Sequence, residues 1–247
     1  MVPREQSRLS VAAVFFLAVV PGAVAQHCFP KAVTSSVGAT VSVHSLRVPD
    51  KARDQVAKAV ERYNKKDFSG VMKHLDAALV VAPDFPAALS FRGYVELMTN
   101  KFDASETDLR HALQADPKYG PAYLHIGSLL NHLGRYDEAL LNLEKDDQFQ
   151  PGSWEVPFEM AKSWLGKHDY QRALDEVNRS SSLGGDKVGP AIHFMRADAL
   201  YGLREYELAN AEVHIFLLVQ PAGTLSDMAR ELAQKIQHRQ PAEVAKK

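Results

Sequence analysis

The chain has 247 residues, of which 46% are hydrophobic and 24% charged, with 29 Lys+Arg against 30 Asp+Glu and a net charge of -1. That balance excludes a disordered polyelectrolyte and offers nucleic acid no basic excess. One cysteine excludes an internal disulfide framework and any multi-cysteine metal or iron–sulfur site.

The first segment reads as targeting. Arg4 and Arg8 precede an apolar run from Leu9 to Val20, Pro21-Gly22 breaks it, and Ala23-Val24-Ala25 follows. A positive start, an apolar middle and a small-x-small end are the layout of a secretory signal peptide, here residues 1–25. The run is 12 residues, short of the ~20 that span a bilayer. Gln26 and His27 before Cys28 depart from the apolar-small-small-Cys box of bacterial lipoproteins, so Cys28 is read as a bystander thiol. Residues 26–48 read as a mostly irregular linker with one short extended piece near 40–46. No later stretch is long and uncharged enough to span a membrane.

A period of 34 then runs through the chain. Pro83, Pro117 and Pro151 keep it, as do Phe68, Phe102, Tyr136 and Tyr170. Leu75, Leu109, Leu143 and Val177 share the interval, and so do the small residues Ala59, Gly93, Gly127 and Ala161. Several series in one register predict a stacked array of supersecondary units. Each unit reads as two amphipathic helices. In the third, Ile126, Leu129, Leu130 and Leu133 make one apolar face, and Ala139, Leu140, Leu141 and Leu143 the other.

The pattern resembles the tetratricopeptide repeat (TPR). Gly120–Ser153 carries it best, with Gly127, Leu130, Gly134-Arg135-Tyr136-Asp137-Glu138-Ala139-Leu140, Leu143 and Pro151. Asp146 departs from it, since a small residue is expected there. The five copies fall near 52–85, 86–119, 120–153, 154–189 and 190–223, with two residues inserted around Gly184-Gly185 and a bulky Phe216 where Ala is expected. The resemblance implies an all-α, right-handed α-solenoid over 49–238. It ends in a capping helix, 224–238, whose stripe is Leu225, Met228, Leu232, Ala233 and Ile236. Residues 239–247 read as a disordered tail.

The same resemblance implies a concave groove lined by the first helix of each copy. Its second, fifth, ninth and twelfth positions lie on one helical face. They map onto Ser90, Tyr94 and Leu97; Leu124, Ser128 and Asn131; Glu155, Phe158, Lys162 and Leu165; and Phe194, Asp198 and Tyr201. As an exposed, largely apolar set they suggest a protein-contact surface. The carboxylate clamp of some relatives is absent, because Val56 and Val60 stand where Lys and Asn would be.

A search for other chemistry returns little. His125 and His132 are the only close histidine pair on one helix, and the histidines read as solvated. There is no His-Glu-x-x-His, no calcium loop, no Gly-x-Ser-x-Gly and no glycine-rich phosphate loop. Carboxylates are assigned to outward faces, and Lys65-Lys66-Asp67 and Lys145-Asp146-Asp147 to solvated turns. The expectation is a non-enzymatic scaffold, exported to the periplasm or secreted, without metal or cofactor. It would bind a protein or peptide in the groove and no nucleic acid. The alternative is an assembly subunit of a cell-envelope complex.

Overall fold

The computed structural model describes residues 48–244, with side chains through 239. The signal-peptide reading of 1–25, the linker and its extended piece up to residue 47, Cys28 and residues 245–247 lie outside the described residues. Among those described there are eleven α-helices and no strand. They are α1 (Asp50–Asn64), α2 (Phe68–Val81), α3 (Pro86–Met98), α4 (Phe102–Ala115), α5 (Gly120–His132), α6 (Tyr136–Phe149), α7 (Glu155–Gly166), α8 (Tyr170–Gly184), α9 (Ala191–Gly202), α10 (Tyr206–Val219) and α11 (Thr224–Val244). A 3-10 turn, Gly185–Lys187, occupies the place of the two-residue insertion.

Counting positions from Ala52, Pro86, Gly120, Trp154 and Pro190 makes the local logic explicit. The fifteenth residue of every copy has positive φ: Lys66 at 57°, Asn100 at 61°, Gly134 at 73°, His168 at 59° and Arg204 at 66°. Each time the next backbone N–H donates to the carbonyl of the eleventh residue. The pairs are Asp67 to Arg62, Lys101 to Glu96, Arg135 to Leu130, Asp169 to Trp164 and Glu205 to Leu200, all at 2.8–3.0 Å. This is the Schellman closure, which satisfies orphan carbonyls through one left-handed residue. Only the third copy supplies glycine, which takes that conformation without steric cost. The second helices then begin at once. Asp67 and Asp169 cap two of them by accepting from Gly70 N–H at 2.9 Å and Arg172 N–H at 3.2 Å.

The chain forms two compact units, and α5 and α6 contribute to both. The described part of the N-terminal unit is 48–129 with Asn142–Pro151. In it α1 packs on α2, α2 on α3 and α3 on α4. A Cβ on Gly93 would lie 2.7 Å from Leu109 Cγ, and one on Gly127 would lie 2.6 Å from Leu143 Cγ. Small at eight against large at twenty-four is therefore how the two helices of a hairpin approach. Asp146, the departure at position twenty-seven, is buried and faces Gly120, where a Cβ would overlap its carboxylate. Lys145-Asp146-Asp147 is thus inside α6 rather than in a solvated turn. An oversized residue at one site is accommodated by a missing side chain at the other.

The described part of the C-terminal unit is Leu130–Leu141 with 152–244. Here α7 packs on α8, α8 on α9, α9 on α10, and α11 on both α9 and α10. Phe194, Met195, Phe216, Leu225, Leu232 and Ile236 belong to its core. Phe216 finds room by packing on Phe194 at 5.7 Å between ring centroids. Two expectations need correction. Leu133 and Leu141, assigned to packed faces, are exposed, because Leu141 lies about 100° around the helix from Leu140 and falls off the stripe that Leu140 and Leu143 share. The last helix also runs on through Pro241 to Val244 instead of stopping at 238.

Candidate functional site

The groove positions come from the first helices α3, α5, α7 and α9. The resemblance led us to expect them exposed, and eight are buried: Ser90, Tyr94, Leu97, Leu124, Ser128, Asn131, Lys162 and Phe194. Glu155 and Leu165 are buried as well. Phe158, Asp198 and Tyr201 remain half-exposed.

The reason is a contact rule across copies. The sixth residue of the second, third and fourth copies reaches back to the groove row of the preceding copy. Phe91 packs edge-on against Tyr63 at 5.6 Å. His125 takes Ser90 Oγ at Nδ1, 2.9 Å away, and its ring stacks on Tyr94 at 4.8 Å. The Tyr94 hydroxyl lies 3.3 Å from that of Tyr63. Glu159 accepts from the side-chain amide of Asn131, through its carbonyl at 2.9 Å and its carboxylate at 3.2 Å. Ser163 Oγ donates to Asn131 Oδ1 at 2.6 Å, and Lys162 Nζ donates to Glu159 Oε1 at 2.7 Å. Lys162 is only 2% exposed and also sits 5.2 Å from the centre of the Phe158 ring. A charged groove residue thus becomes internal once the neighbouring helix is in place.

The histidines and several acids differ from the sequence reading. His125 is buried, not solvated. His132 is half-buried, and burial together with Lys162 holds its pKa below the usual value. Glu96, Asp108, Glu155 and Glu159 are buried although carboxylates were assigned outward. Arg92 Nε donates to Asp108 at 2.5 Å and its Nη1 to Asp76 at 2.8 Å, which raises the guanidinium pKa further. Glu96 Oε2 has no hydrogen-bond partner. Burial first, then Asp108, pushes its pKa up to about 7. In the last copy burial lifts Asp198 to about 6, against the opposing pull of Lys235 and His168.

Sequence reasoning missed Tyr63, His125, Glu159 and Ser163. The signal was available in the sixth position, which is polar only in the third and fourth copies, at His125 and Glu159. Among the described residues no group of three or more His, Cys, Asp or Glu is placed to hold a metal ion. No helix among them is long and apolar enough to cross a membrane.

The left-handed turn, the small-against-large contact and the sixth-position rung, repeated along the chain, define an all-α, solenoid-class fold of the TPR type. The known proteins it resembles are consistent with that class, although no family model matches the chain. It is 27% identical over 103 residues to small glutamine-rich tetratricopeptide repeat-containing protein 2 of Mycosarcoma maydis, a match covering 42% of this chain and 29% of that protein. Curated relatives are matched over only 23–30% of their own length. Among solved structures, a thermophilic TPR protein of Thermus thermophilus superposes with a TM-score of 0.61 at 15% identity, covering 73% of this chain and 98% of that one. PilW, described as a widely conserved type IV pilus biogenesis factor, gives a TM-score of 0.63 at 14% identity, covering 78% and 94%. At these identities the likeness is one of fold.

Proposed function

We propose that the protein is a non-enzymatic scaffold that binds a protein or peptide segment along the first-helix face of its C-terminal unit. The observation that carries this reading is the change in the groove row between copies. Tyr94 is built into a buried ladder, whereas Asp198 at the same ninth position keeps exposed surface, as do Phe158 and Tyr201 at the fifth and twelfth positions of their copies. Partly exposed aromatics are enriched at protein interfaces and among their hot spots. The test is capture from an envelope extract of the source cells by the tagged full chain, beside Phe158→Ala/Tyr201→Ala. Loss of a specific partner at unchanged helicity supports the groove; equal capture by both overturns it. Tyr94→Ala is unsuited to this test, because it would break internal packing.

A second reading, an assembly subunit of an envelope complex, is favoured by a different surface. On α10, Leu208, Ile215, Leu218 and Val219 are exposed, Leu218 by 83%, and their spacing of seven, three and one places them along one side of the helix. Native mass of the full chain beside Leu218→Lys decides it: a larger species that the variant abolishes would support lateral assembly. Export is part of both proposals and rests on the Arg4–Ala25 pattern. N-terminal sequencing of the protein from its own cells tests it, and an intact residue 1 would overturn cleavage after Ala25.

A further inference from the structure

Most acids near the groove row have a counterpart inside the fold, and Glu96, whose Oε2 has none, is buried away from solvent. Glu159 has Lys162 and Asn131, Glu155 has Ser153, and Asp108 has Arg92. Asp198 differs in keeping exposed surface. It occupies the ninth position of the fifth copy, half-buried on α9, and takes part in no hydrogen bond or ion pair. Tyr201 lies three residues on, on the same face, with its ring 5.6 Å from that of Tyr206. Tyr170 lies against the end of α9, where a Cβ on Gly202 would overlap its ring. Its hydroxyl is 3.0 Å from His168 Nδ1. Asp198 helps to raise the Tyr170 phenol above its usual pKa, so carboxylate and ring share one neighbourhood. The charges that reach Asp198 are His168, from the turn before α8, and Lys235, on α11. Neither forms an ion pair with it.

We propose that Asp198, flanked by Tyr170 and Tyr201, is a subsite for a cationic side chain, arginine or lysine, of the bound segment. The proposal rests on the groove reading above and adds the chemistry of the partner. A carboxylate partly withdrawn from water forms strong charge-assisted hydrogen bonds, and aromatic faces add cation–π attraction. The molecule already pairs the same chemistry elsewhere. One copy earlier, at the same ninth position, the Lys162 ammonium sits between the Glu159 carboxylate and the Phe158 ring. In the fifth copy Met195 replaces that acid and Asp198 stands where the cation was, so acid and rings are present in a new arrangement and the cation is left to the guest.

The test uses the isotope-labelled full chain, titrated with N-acetyl-arginine methylamide and with its neutral isostere, the citrulline derivative, and followed by amide chemical shifts. The arginine probe is expected to move α9 amides around Asp198 and Tyr201 saturably, with the citrulline probe at least tenfold weaker. Asp198→Asn is expected to weaken arginine binding at least tenfold and to leave citrulline binding unchanged. Equal binding of the two probes to the unaltered chain overturns the proposal, and that comparison needs no folded variant. Unchanged arginine binding by a folded Asp198→Asn overturns it too. Partner capture that depends on Phe158 and Tyr201, without any response to the arginine probe, would remove the cationic subsite and leave the groove reading standing.

Discussion

Two rungs of the first-helix ladder occupy the same register and are built from different chemistry. In the N-terminal unit the sixth-position residue is His125, held by Ser90 and stacked on Tyr94. In the C-terminal unit it is Glu159, tied to Asn131 and to buried Lys162. The backbone geometry tolerates both, so the register dictates contact and leaves polarity free. The energetic stakes differ. Deleting one partner of the hydroxyl–imidazole bond costs the desolvation of one polar group, whereas breaking a buried ion pair leaves a stranded charge and costs more.

That contrast can be broken in order of expected effect. Lys162→Ala should destabilise by about 3–5 kcal/mol, because Glu159 keeps its burial and loses its cation. Lys162→Met/Glu159→Gln should recover most of that loss; urea unfolding of the three proteins checks it, and an equal loss in the double variant would show that packing rather than charge matters.

Glu96 tests the acid side of the N-terminal unit. Its pKa is raised from 4.5 to about 7 in the folded chain. The folded state then holds a proton that the unfolded chain has released, so stability is fullest below about pH 4.5 and falls as pH rises toward 7. Urea midpoints for the parent protein should decline between pH 5 and 8, and Glu96→Gln should flatten that slope; parallel slopes would exclude Glu96 as the titrating group.

Ser90→Ala should cost about 1–2 kcal/mol, clearly less than Lys162→Ala, and thermal melts of the two variants side by side would show whether the neutral rung is the cheaper one to break. Gly127→Ala should cost about 1–2 kcal/mol through its clash with Leu143, net of a helix-propensity gain. The smallest effect has the opposite sign. Lys66→Gly should stabilise by about 0.5 kcal/mol, because the left-handed turn no longer carries a Cβ; a lower melting temperature would contradict that account of the fifteenth position.

The fold class was legible because its signals repeat. Phe68, Phe102, Tyr136 and Tyr170 recur in register, as do Gly93 and Gly127, and repetition filters chance from pattern. The site was less legible, since exposure is not a property of one helix. A single-helix projection places Tyr94 and Lys162 on an open face. It omits His125 of the next copy, which stacks on Tyr94, and the carboxylate of Glu159 that draws Lys162 inside. Asp146 was misread for a related reason. Its charged neighbours suggested a turn, while the residue that makes room for it, Gly120, stands 26 positions earlier. Composition sees neighbours in sequence, and these contacts join neighbours in space.

The Asp146–Gly120 contact has a consequence for exchange between copies. Repeats of equal length invite the view that any first helix can be recombined with any second helix. The third copy is an exception, because its two halves carry matched deviations. The first helix of the second copy would bring Pro86 to the place of Gly120 and press a ring against the buried carboxylate. The second helix of the third copy, moved alone, would carry that carboxylate to a host with no space for it. This hairpin is heritable as a pair, and a recombination break between its helices would be selected against while breaks at its outer boundaries would pass.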